Sequence, residues 1–335
     1  MAGQAAAADG LPRALIVAGP TASGKSALAL ALAERFHGAV VNADSMQVYR
    51  ELRILTARPT PEDEARAPHL LYGVRSAAEP ADAAWFRDAA LAAMDEARAG
   101  GRVPILCGGS GMWLNALVHG IAAIPPVPEG VRAEARALGA ELGAPALHAR
   151  LAERDPETAA RLEPGDTQRV IRAWEVLEAT GEGLAAWWGR PATPPAPWRF
   201  AHVRLDPPRE RVRAAIDARF LAMMAAGALE EVGALAALGL DPALPAMRAH
   251  GVPPLIAAIR GEIALDVAVA RGPAMVRPDA KRQGTWFRHQ ALAPPERTFA
   301  IDAWMGSSAQ SSEKCMAGLF AFIDDFLLTR RTMAG

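Results

Sequence analysis

The stretch that decides the fold is residues 14–36, ALIVAGPTASGKSALALALAERF. It opens on a short apolar run, which predicts a buried strand. From Ser26 onward, leucines and alanines recur at helical spacing and predict a helix. Between the two lies GPTASGKS, residues 19–26, so this segment connects a strand to a helix.

GPTASGKS matches the pattern of a phosphate-binding loop, in which two glycines bracket four residues and lysine and serine or threonine follow. The glycines let backbone N–H groups turn inward around an anion at a helix N-terminus. The lysine adds positive charge, and the hydroxyl of Ser26 is a candidate Mg²⁺ ligand. The pattern therefore predicts a diphosphate- or triphosphate-binding loop made of Gly19, Pro20, Thr21, Ala22, Ser23, Gly24, Lys25 and Ser26.

Two further apolar runs end in polar or glycine residues: GAVVNADS from residue 38 and RVPILCGGS from residue 102. A helical pattern from about Ala83 to Ala99 precedes the second run. Strand, loop and helix repeating in this way predict a parallel sheet with helices on both faces. Ligands gather at the carboxyl ends of such strands, where Asp44 and Ser110 fall. We therefore expect an α/β fold, with a P-loop NTPase-like parallel sheet core flanked by helices.

Two proline-rich segments, IPPVPEG and GRPATPPAPW, bracket a region rich in Ala, Arg, Glu and Leu. They predict a helical insertion domain over residues 125–198. FAHVRL, residues 200–205, then predicts a strand that returns to the sheet, with helices expected from about Arg209 to the C-terminus. The α/β core would comprise residues 13–124 and 199–335. Residues 1–12 carry no signal-peptide pattern and are expected to be disordered.

Composition excludes several classes of protein. The chain has 335 residues, 51% of them hydrophobic, and a formal net charge of -1, so a nucleic-acid surface would have to be a local patch. Two distant cysteines argue against a disulfide scaffold and fit a reducing compartment. No apolar stretch approaches the length of a membrane span. We expect a cytoplasmic protein with no membrane partner.

The strand around residues 103–107 ends in Gly108, Gly109 and Ser110, without an acid. Nucleotide hydrolases of this fold normally place a metal-binding acid at such a strand end. A bound Mg²⁺ would then be held mainly by diphosphate oxygens, water and Ser26, with Ser110 as a further candidate. ATP hydrolysis of the motor type is therefore disfavoured.

Asp44 stands at the end of the second strand and admits two interpretations. A carboxylate there can accept a proton or a hydrogen bond from an attacking nucleophile. Alternatively, it is the N-cap of a helix that would begin near Met46. Both roles require an exposed carboxylate.

Six segments in order resemble the tRNA dimethylallyltransferase (tRNA isopentenyltransferase) family: GPTASGKS, NADSMQVYR, CGGSGMWLNAL, DTQRVIRAWEV, MRAHG and AKRQGTWFR. The resemblance implies that the loop holds dimethylallyl diphosphate, with Mg²⁺ as cofactor. The dimethylallyl group would pass to N6 of the adenosine immediately 3′ of the anticodon in tRNA, releasing diphosphate. The adenine would have to be extruded from the anticodon loop.

The resemblance also assigns roles to residues. Asp44 matches the general base of the family, and Ser110 stands where the family usually has threonine, so both are expected to be catalytic. The partner would be the tRNA anticodon stem-loop, bound by a monomer. The implied tRNA-contacting residues are Asp44, Ser45, Met46, Gln47, Ser110, Arg132, Gln168, Arg169, Val170, Ile171, Arg172, Arg248, His250, Gly251, Arg277, Lys281 and Arg282.

Simpler interpretations of these residues stay open at this point. Arg172 could pair with Glu175 on a solvated helix whose N-cap is Asp166 or Thr167. The basic run near the C-terminus could be a solubilising helix face. The segment PDAKRQ departs from the family pattern, because Pro278 and Asp279 replace a glutamine and an aromatic residue.

Two other functions share parts of this pattern. A P-loop nucleoside or small-molecule kinase would use the same strand, loop and helix to bind ATP. A non-enzymatic RNA-binding protein could keep a vestigial phosphate site, although the intact Lys25, Ser26 and Asp44 argue against decay.

Overall fold

The computed structural model describes residues 10–188, 190–302 and 309–328, which fall into two compact units. The first comprises residues up to Val118 and from Ala196 onward, and the second runs from His119 to Pro195. The insertion domain expected over residues 125–198 thus differs from the second unit at both ends. Residues 1–9 of the expected disordered segment lie outside the described residues.

Strands and helices alternate along the first third of the chain, and helices dominate the remainder. The strands are β1 (Arg13–Ala18), β2 (Gly38–Asn42), β3 (His69–Leu70), β4 (Val103–Gly108), β5 (Ile121–Ala122), β6 (Pro191–Thr193), β7 (Arg199–Leu205) and β8 (Thr298–Ile301). The helices are α1 (Lys25–Arg35), α2 (Pro61–Arg66), α3 (Ala83–Ala99), α4 (Gly111–His119), α5 (Glu129–Leu142), α6 (Ala144–Arg154), α7 (Pro156–Ala159), α8 (Thr167–Thr180), α9 (Leu184–Trp188), α10 (Arg209–Ala225), α11 (Ala228–Ala237), α12 (Val252–Ile259), α13 (Leu265–His289) and α14 (Ala309–Leu328). Short 3-10 turns cover Ala246–Arg248 and Pro295–Arg297.

The first unit is built on a parallel sheet of six strands in the order β3-β2-β4-β1-β7-β8. Strands covered on both faces read as continuous apolar runs, which is how β1, β2, β4 and β7 appear in the sequence. One expectation was wrong, because the chain beyond Arg209 is not all helical. Residues Thr298–Ile301 form β8 beside β7, and a run of four residues is too short for periodicity to distinguish a strand from a helix.

Helices cover both faces of this sheet, as the sequence predicted. One apolar cluster contains the fully buried side chains of Phe86, Leu114 and Phe287, from α3, α4 and α13. The other joins Leu32 of α1 and Leu319 of α14 to the opposite face. The expected P-loop NTPase-like α/β class is therefore confirmed.

The second unit has its own small core, in which Leu151 of α6 and Val176 of α8 are fully buried. The side chain of Asp166 accepts a hydrogen bond from the backbone N–H of Arg169 at 3.2 Å, so Asp166 is the N-cap of α8. Strands β5 and β6 pair antiparallel within this unit.

Within the described residues, no single helix has the length and apolar character needed to cross a membrane. The consecutive helices α10 and α11 meet those two criteria only as a pair, and they are bent by 69° at their junction.

The central strands approach each other closely where β4 ends. A Cβ atom built on Gly108 would lie 2.0 Å from the carbonyl oxygen of Ala43, which is backbone and cannot move aside freely. By contrast, a Cβ atom on Gly284 in α13 would meet no atom within 4 Å. Only the first of these glycines is required by sterics.

We predict that Gly108→Ala lowers the free energy of unfolding by about 1–3 kcal/mol, because the added methyl group must push β2 and β4 apart. Gly284→Ala is the matched control and should raise it by about 0.5–1 kcal/mol, since alanine restricts the unfolded chain and favours a helix. Urea unfolding of the two variants measures both effects. Equal stability of Gly108→Ala and the parent protein would contradict the steric argument.

Candidate functional site

The loop between β1 and α1 has the backbone of an anion-binding loop. Gly24 and Ala22 have φ angles of 90° and 59°, in the left-handed region that turns successive N–H groups toward one side. Gly19 must lack a side chain, because a Cβ there would lie 2.7 Å from the carbonyl oxygen of Leu205. Ser23 is buried, and its N–H donates to the carbonyl of Pro20 at 3.2 Å.

Lys25 places a buried cation in this loop. The residue is 8% exposed, and its Nζ donates to the carbonyl of Pro20 at 3.3 Å. Burial lowers the pKa of Lys25, Asp44 opposes this effect, and Arg219 adds to it. A cation with so little solvent gains from binding an anion, and phosphate oxygens are the ligand that the loop favours.

Ser26 is the exposed second residue of α1, and its hydroxyl is hydrogen-bonded to the side chain of Cys107 near the end of β4. Burial raises the pKa of Cys107 to about 11, so the thiol is neutral. The oxygen of Ser26 keeps lone pairs for a hard cation such as Mg²⁺. Among the described residues, no cluster of three His, Cys, Asp or Glu could hold a metal on its own. Ser26 is the residue at this site that could hold Mg²⁺, with phosphate oxygens and water as the other ligands.

Asp44 is held in a turn at the end of β2. Its Oδ1 accepts from the N–H of Met46 at 3.0 Å, and its own N–H donates to Oδ1 of Asn42 at 2.8 Å. The buried Asn42 also donates to the carbonyls of Asp44 and Leu71, both at 3.1 Å. No helix begins near Met46, so the N-cap interpretation was wrong: a turn closed by Asp44 takes its place.

Three basic side chains lie around this carboxylate. The charges of Lys25, Arg219 and His250 all interact with that of Asp44. Burial lowers the pKa of Arg219, and Asp44 opposes the effect, so the guanidinium stays charged at neutral pH. This end of the sheet thus combines one carboxylate with two cations, the buried Lys25 and the half-buried Arg219, beside the phosphate loop.

The sequence analysis missed Arg219, although a signal was present. Val212, Ile216 and Phe220 form the buried stripe of α10, and Arg219 lies three residues after Ile216 on the same side. A charged residue on the buried stripe of an amphipathic helix is unusual and marks a functional candidate.

Ser110 and Ser45 connect the ends of β4 and β2. The Ser110 hydroxyl accepts from the N–H of Ser45 at 2.9 Å and donates to the Ser45 hydroxyl at 3.1 Å. Met46 is half-buried against the core. Gln47 is buried, and its amide donates to the carbonyls of Thr56 and Ala57 at 2.9 and 3.0 Å. The Gln47 side chain therefore supports a neighbouring loop.

Gln283 of α13 joins two loops of the site. Its Oε1 accepts from the N–H of Thr21 at 2.8 Å, and its Nε2 donates to the carbonyl of Gly109 at 3.1 Å. Trp286, one turn further, packs on Gly111, where a Cβ would lie 2.4 Å from the indole ring. Gln283 lay within a quoted motif, but the sequence analysis gave it no role.

Carboxylates offset much of the basic patch on α13. Arg277 pairs with Asp217 at 2.6 Å, and Arg282 pairs with Asp279. Lys281 is exposed on the same helix. Arg248 is also exposed, in the 3-10 turn before Gly251, whose φ of 93° requires glycine.

The remaining expected tRNA contacts lie in the second unit. Gln168 and Arg169 are exposed on α8, while Arg132 on α5 is half-buried. Arg172 pairs with Glu175 at 3.1 Å, as in the simpler interpretation. Val170 is fully buried and Ile171 is half-buried against Gly139. The side chain of Val170 therefore belongs to the core of this unit, and its expected tRNA contact stays a prediction.

Comparison with known proteins gives a consistent result. The IPP transferase family model matches residues 47–290. A tRNA dimethylallyltransferase of Granulibacter bethesdensis is 57% identical over 314 residues, covering 94% of this chain and 98% of that protein. One of Rhodospirillum centenum is 60% identical over 281 residues, covering 83% and 89%. The crystal structure of the tRNA isopentenylpyrophosphate transferase of Bacillus halodurans superposes with a TM-score of 0.65 at 29% identity, covering 96% of this chain and 99% of that one.

We predict that Gln283→Ala lowers the free energy of unfolding by about 1–3 kcal/mol, because the Thr21 N–H and the Gly109 carbonyl both lose their partner. Hydrogen exchange at the Thr21 amide should accelerate. Gln283→Glu is the control, since its carboxylate can still accept from Thr21 but cannot donate to Gly109. It should keep the protection of Thr21 yet lose stability. Unchanged exchange at Thr21 in the alanine variant would show that the loop does not depend on Gln283.

Proposed function

Because this chain belongs to the IPP transferase family, we propose that it transfers a dimethylallyl group from dimethylallyl diphosphate to tRNA, at N6 of the adenosine immediately 3′ of the anticodon. One observation carries the proposal. A phosphate loop with the buried cation Lys25 lies near the carboxylate of Asp44, at the end of the sheet where β4 finishes without an acid. This arrangement suits a departing diphosphate and an attacking amine.

The phosphate loop would stabilise the leaving group. When the allylic C–O bond breaks, its electron pair passes to the diphosphate oxygen, and negative charge accumulates there. Loop N–H groups, Lys25 and Arg219 would stabilise that charge electrostatically. Ser26 would hold Mg²⁺, which supplies further charge neutralisation on the diphosphate when bound.

Asp44 would act on the other reactant. The exocyclic amine of adenine is a weak nucleophile, and it must lose a proton as the C–N bond forms. Oδ1 of Asp44 already accepts a hydrogen bond from the backbone N–H of Met46. We therefore assign Oδ2 as the oxygen that accepts the proton of the amine. Ser110 is hydrogen-bonded to Ser45, which follows Asp44 in the chain. Ser110 would therefore line the path by which the adenine reaches Asp44.

The tRNA would approach through its anticodon stem-loop. Extruding a base from a stacked loop costs about a few kcal/mol, and contacts to the RNA backbone can offset this. Exposed cations such as Lys281, Arg248 and Arg169 are suited to those contacts. We also propose that the protein acts as a monomer in the cytoplasm.

Ligand binding separates this function from that of a kinase. We predict that dimethylallyl diphosphate raises the unfolding free energy by about 2.7 kcal/mol at a hundredfold excess over its Kd, and that ATP raises it less. Incubation with tRNA and labelled dimethylallyl diphosphate should then place the label on one adenosine, which mass analysis of nucleosides identifies. Stabilisation by ATP alone, without label transfer, would favour the nucleoside or small-molecule kinase instead.

Asp44 provides the test of the chemistry. We predict that Asp44→Ala and Asp44→Asn both lower the rate of transfer by roughly 10²-fold or more, the range of a positioned acid or base. The asparagine variant is the sharper case, because its side-chain oxygen can still accept from Met46 and keep the turn. Both should bind tRNA like the parent, as filter binding measures. Near-normal turnover of Asp44→Asn would remove this carboxylate from the mechanism.

A further inference from the structure

Glu231 of α11 binds a turn of the backbone that adjoins the site. Its Oε1 accepts hydrogen bonds from the N–H groups of Arg53 and Ile54 at 2.6 and 2.7 Å. Its Oε2 accepts from the N–H of Leu55 at 2.9 Å. Successive N–H groups that point to one side form a nest for an anion. Here the anion belongs to the chain itself, and the half-buried side chain of Glu231 supplies it.

The turn formed by residues 53–57 needs support of this kind. The N–H of Ala57 donates to the carbonyl of Ile54 at 2.9 Å and closes the turn. Ala57 has a φ of 51°, in the left-handed region that residues with a Cβ rarely adopt. Such a residue persists only where the surrounding structure holds it in place. Glu231 therefore holds the beginning of a turn that local backbone preference does not favour.

This turn contacts two segments that are expected to bind tRNA. The side-chain amide of Gln47 donates to the carbonyls of Thr56 and Ala57 at 2.9 and 3.0 Å. On the other side, a Cβ atom built on Gly251 would lie 3.1 Å from Cδ1 of the buried Leu55, so this side chain lies close to the Gly251 backbone. A shift of the turn would therefore disturb both segments together.

The groups assigned to the chemistry have supports of their own. Asp44 is hydrogen-bonded to the N–H of Met46 and, through its own N–H, to Asn42. Gln283 accepts a hydrogen bond from the phosphate loop. None of these bonds involves Glu231. Loss of the Glu231 carboxylate should therefore weaken the binding of tRNA and leave the chemical step and the binding of the prenyl donor nearly intact.

We propose that Glu231 is a positioning residue for tRNA, which fills the nest of residues 53–55 and thereby preforms the side of the site that receives the anticodon loop. The inference rests on the proposed function. A preformed surface binds more tightly than one that must be ordered during binding, because the entropy of ordering has already been lost on folding. Glu231 acts through the turn and touches neither reactant.

The test uses three substitutions in one turn of α11. Glu231→Ala removes both acceptor oxygens. Glu231→Gln keeps one oxygen in a side chain of the same shape, so it can retain the bonds from Arg53 and Ile54 but not the bond from Leu55. Glu230→Ala is the matched control, because it removes an exposed carboxylate from the same first turn.

Hydrogen exchange first shows whether the nest has opened. The Leu55 amide should exchange faster in both Glu231 variants and at the parent rate in Glu230→Ala. Unchanged exchange in both Glu231 variants would contradict the role of this carboxylate. Thermal unfolding establishes that each variant is folded, and Glu231→Gln carries the test alone if Glu231→Ala does not fold.

Filter binding and steady-state kinetics then separate positioning from general support of the fold. We expect Glu231→Ala to raise Kd and KM for tRNA about tenfold and Glu231→Gln to raise them about threefold. In both variants kcat and KM for dimethylallyl diphosphate should stay within twofold of the parent, and Glu230→Ala should match the parent throughout. Parent-like tRNA binding by the folded Glu231 variants would overturn the proposal. Equal losses in kcat and in both KM values would overturn it too.

Failure of the proposed function would be distinguishable from failure of this inference. If the parent transfers no label from dimethylallyl diphosphate to tRNA, the proposed function fails. If the parent transfers label while both Glu231 variants keep its Kd for tRNA, only the role of Glu231 fails.

Discussion

The register of the three central strands is the constraint on which this site depends. Asn42, Cys107 and Val17 lie side by side across β2, β4 and β1. The three strands therefore end at the same level in the sheet. Because the strands are parallel, the turn of Asp44, the loop of Ser110 and the phosphate loop all open at one edge. Gly108 permits the closest approach, since the Ala43 backbone occupies the space that a side chain would need. The proposed base Asp44 and the phosphate loop therefore open toward the same side of the sheet.

One helix then links this edge to the rest of the first unit. Helix α13 buries Phe287 in the core, and its Gln283 bonds to Thr21 and Gly109. One turn earlier, Asp279 pairs with His250 and Arg282. The same element thus fixes the phosphate loop and orders the groups around Asp44. A change in the packing of α13 would therefore affect both the phosphate loop and the side chains near Asp44.

Local pattern and the geometry of parallel sheets account for what the sequence predicted. The strand before Gly19, the helix after Lys25 and the convergence of Asp44 with Ser110 all follow from apolar runs and from the position of each residue at a strand end. The bonds of Gln283 were beyond such reasoning, because they join residues that are distant in the chain. The same holds for Arg219, whose role depends on how α10 packs. Arg172 shows the opposite case, where the simpler ion pair with Glu175 was already visible in the helical spacing.

The neutral Cys107 near the end of β4 helps to explain why the phosphate loop would suit a diphosphate leaving group. Cys107 stands where the strand ends, and burial keeps its thiol neutral by raising its pKa to about 11. It can orient the hydroxyl of Ser26 but adds no negative charge beside a bound phosphate. Lys25 and Arg219 are consequently opposed at this edge mainly by Asp44. In the proposed reaction, both cations would attract an incoming diphosphate, and that attraction would grow as the allylic C–O bond breaks and more charge develops. In that reaction the electrostatics would favour the transition state over the bound donor.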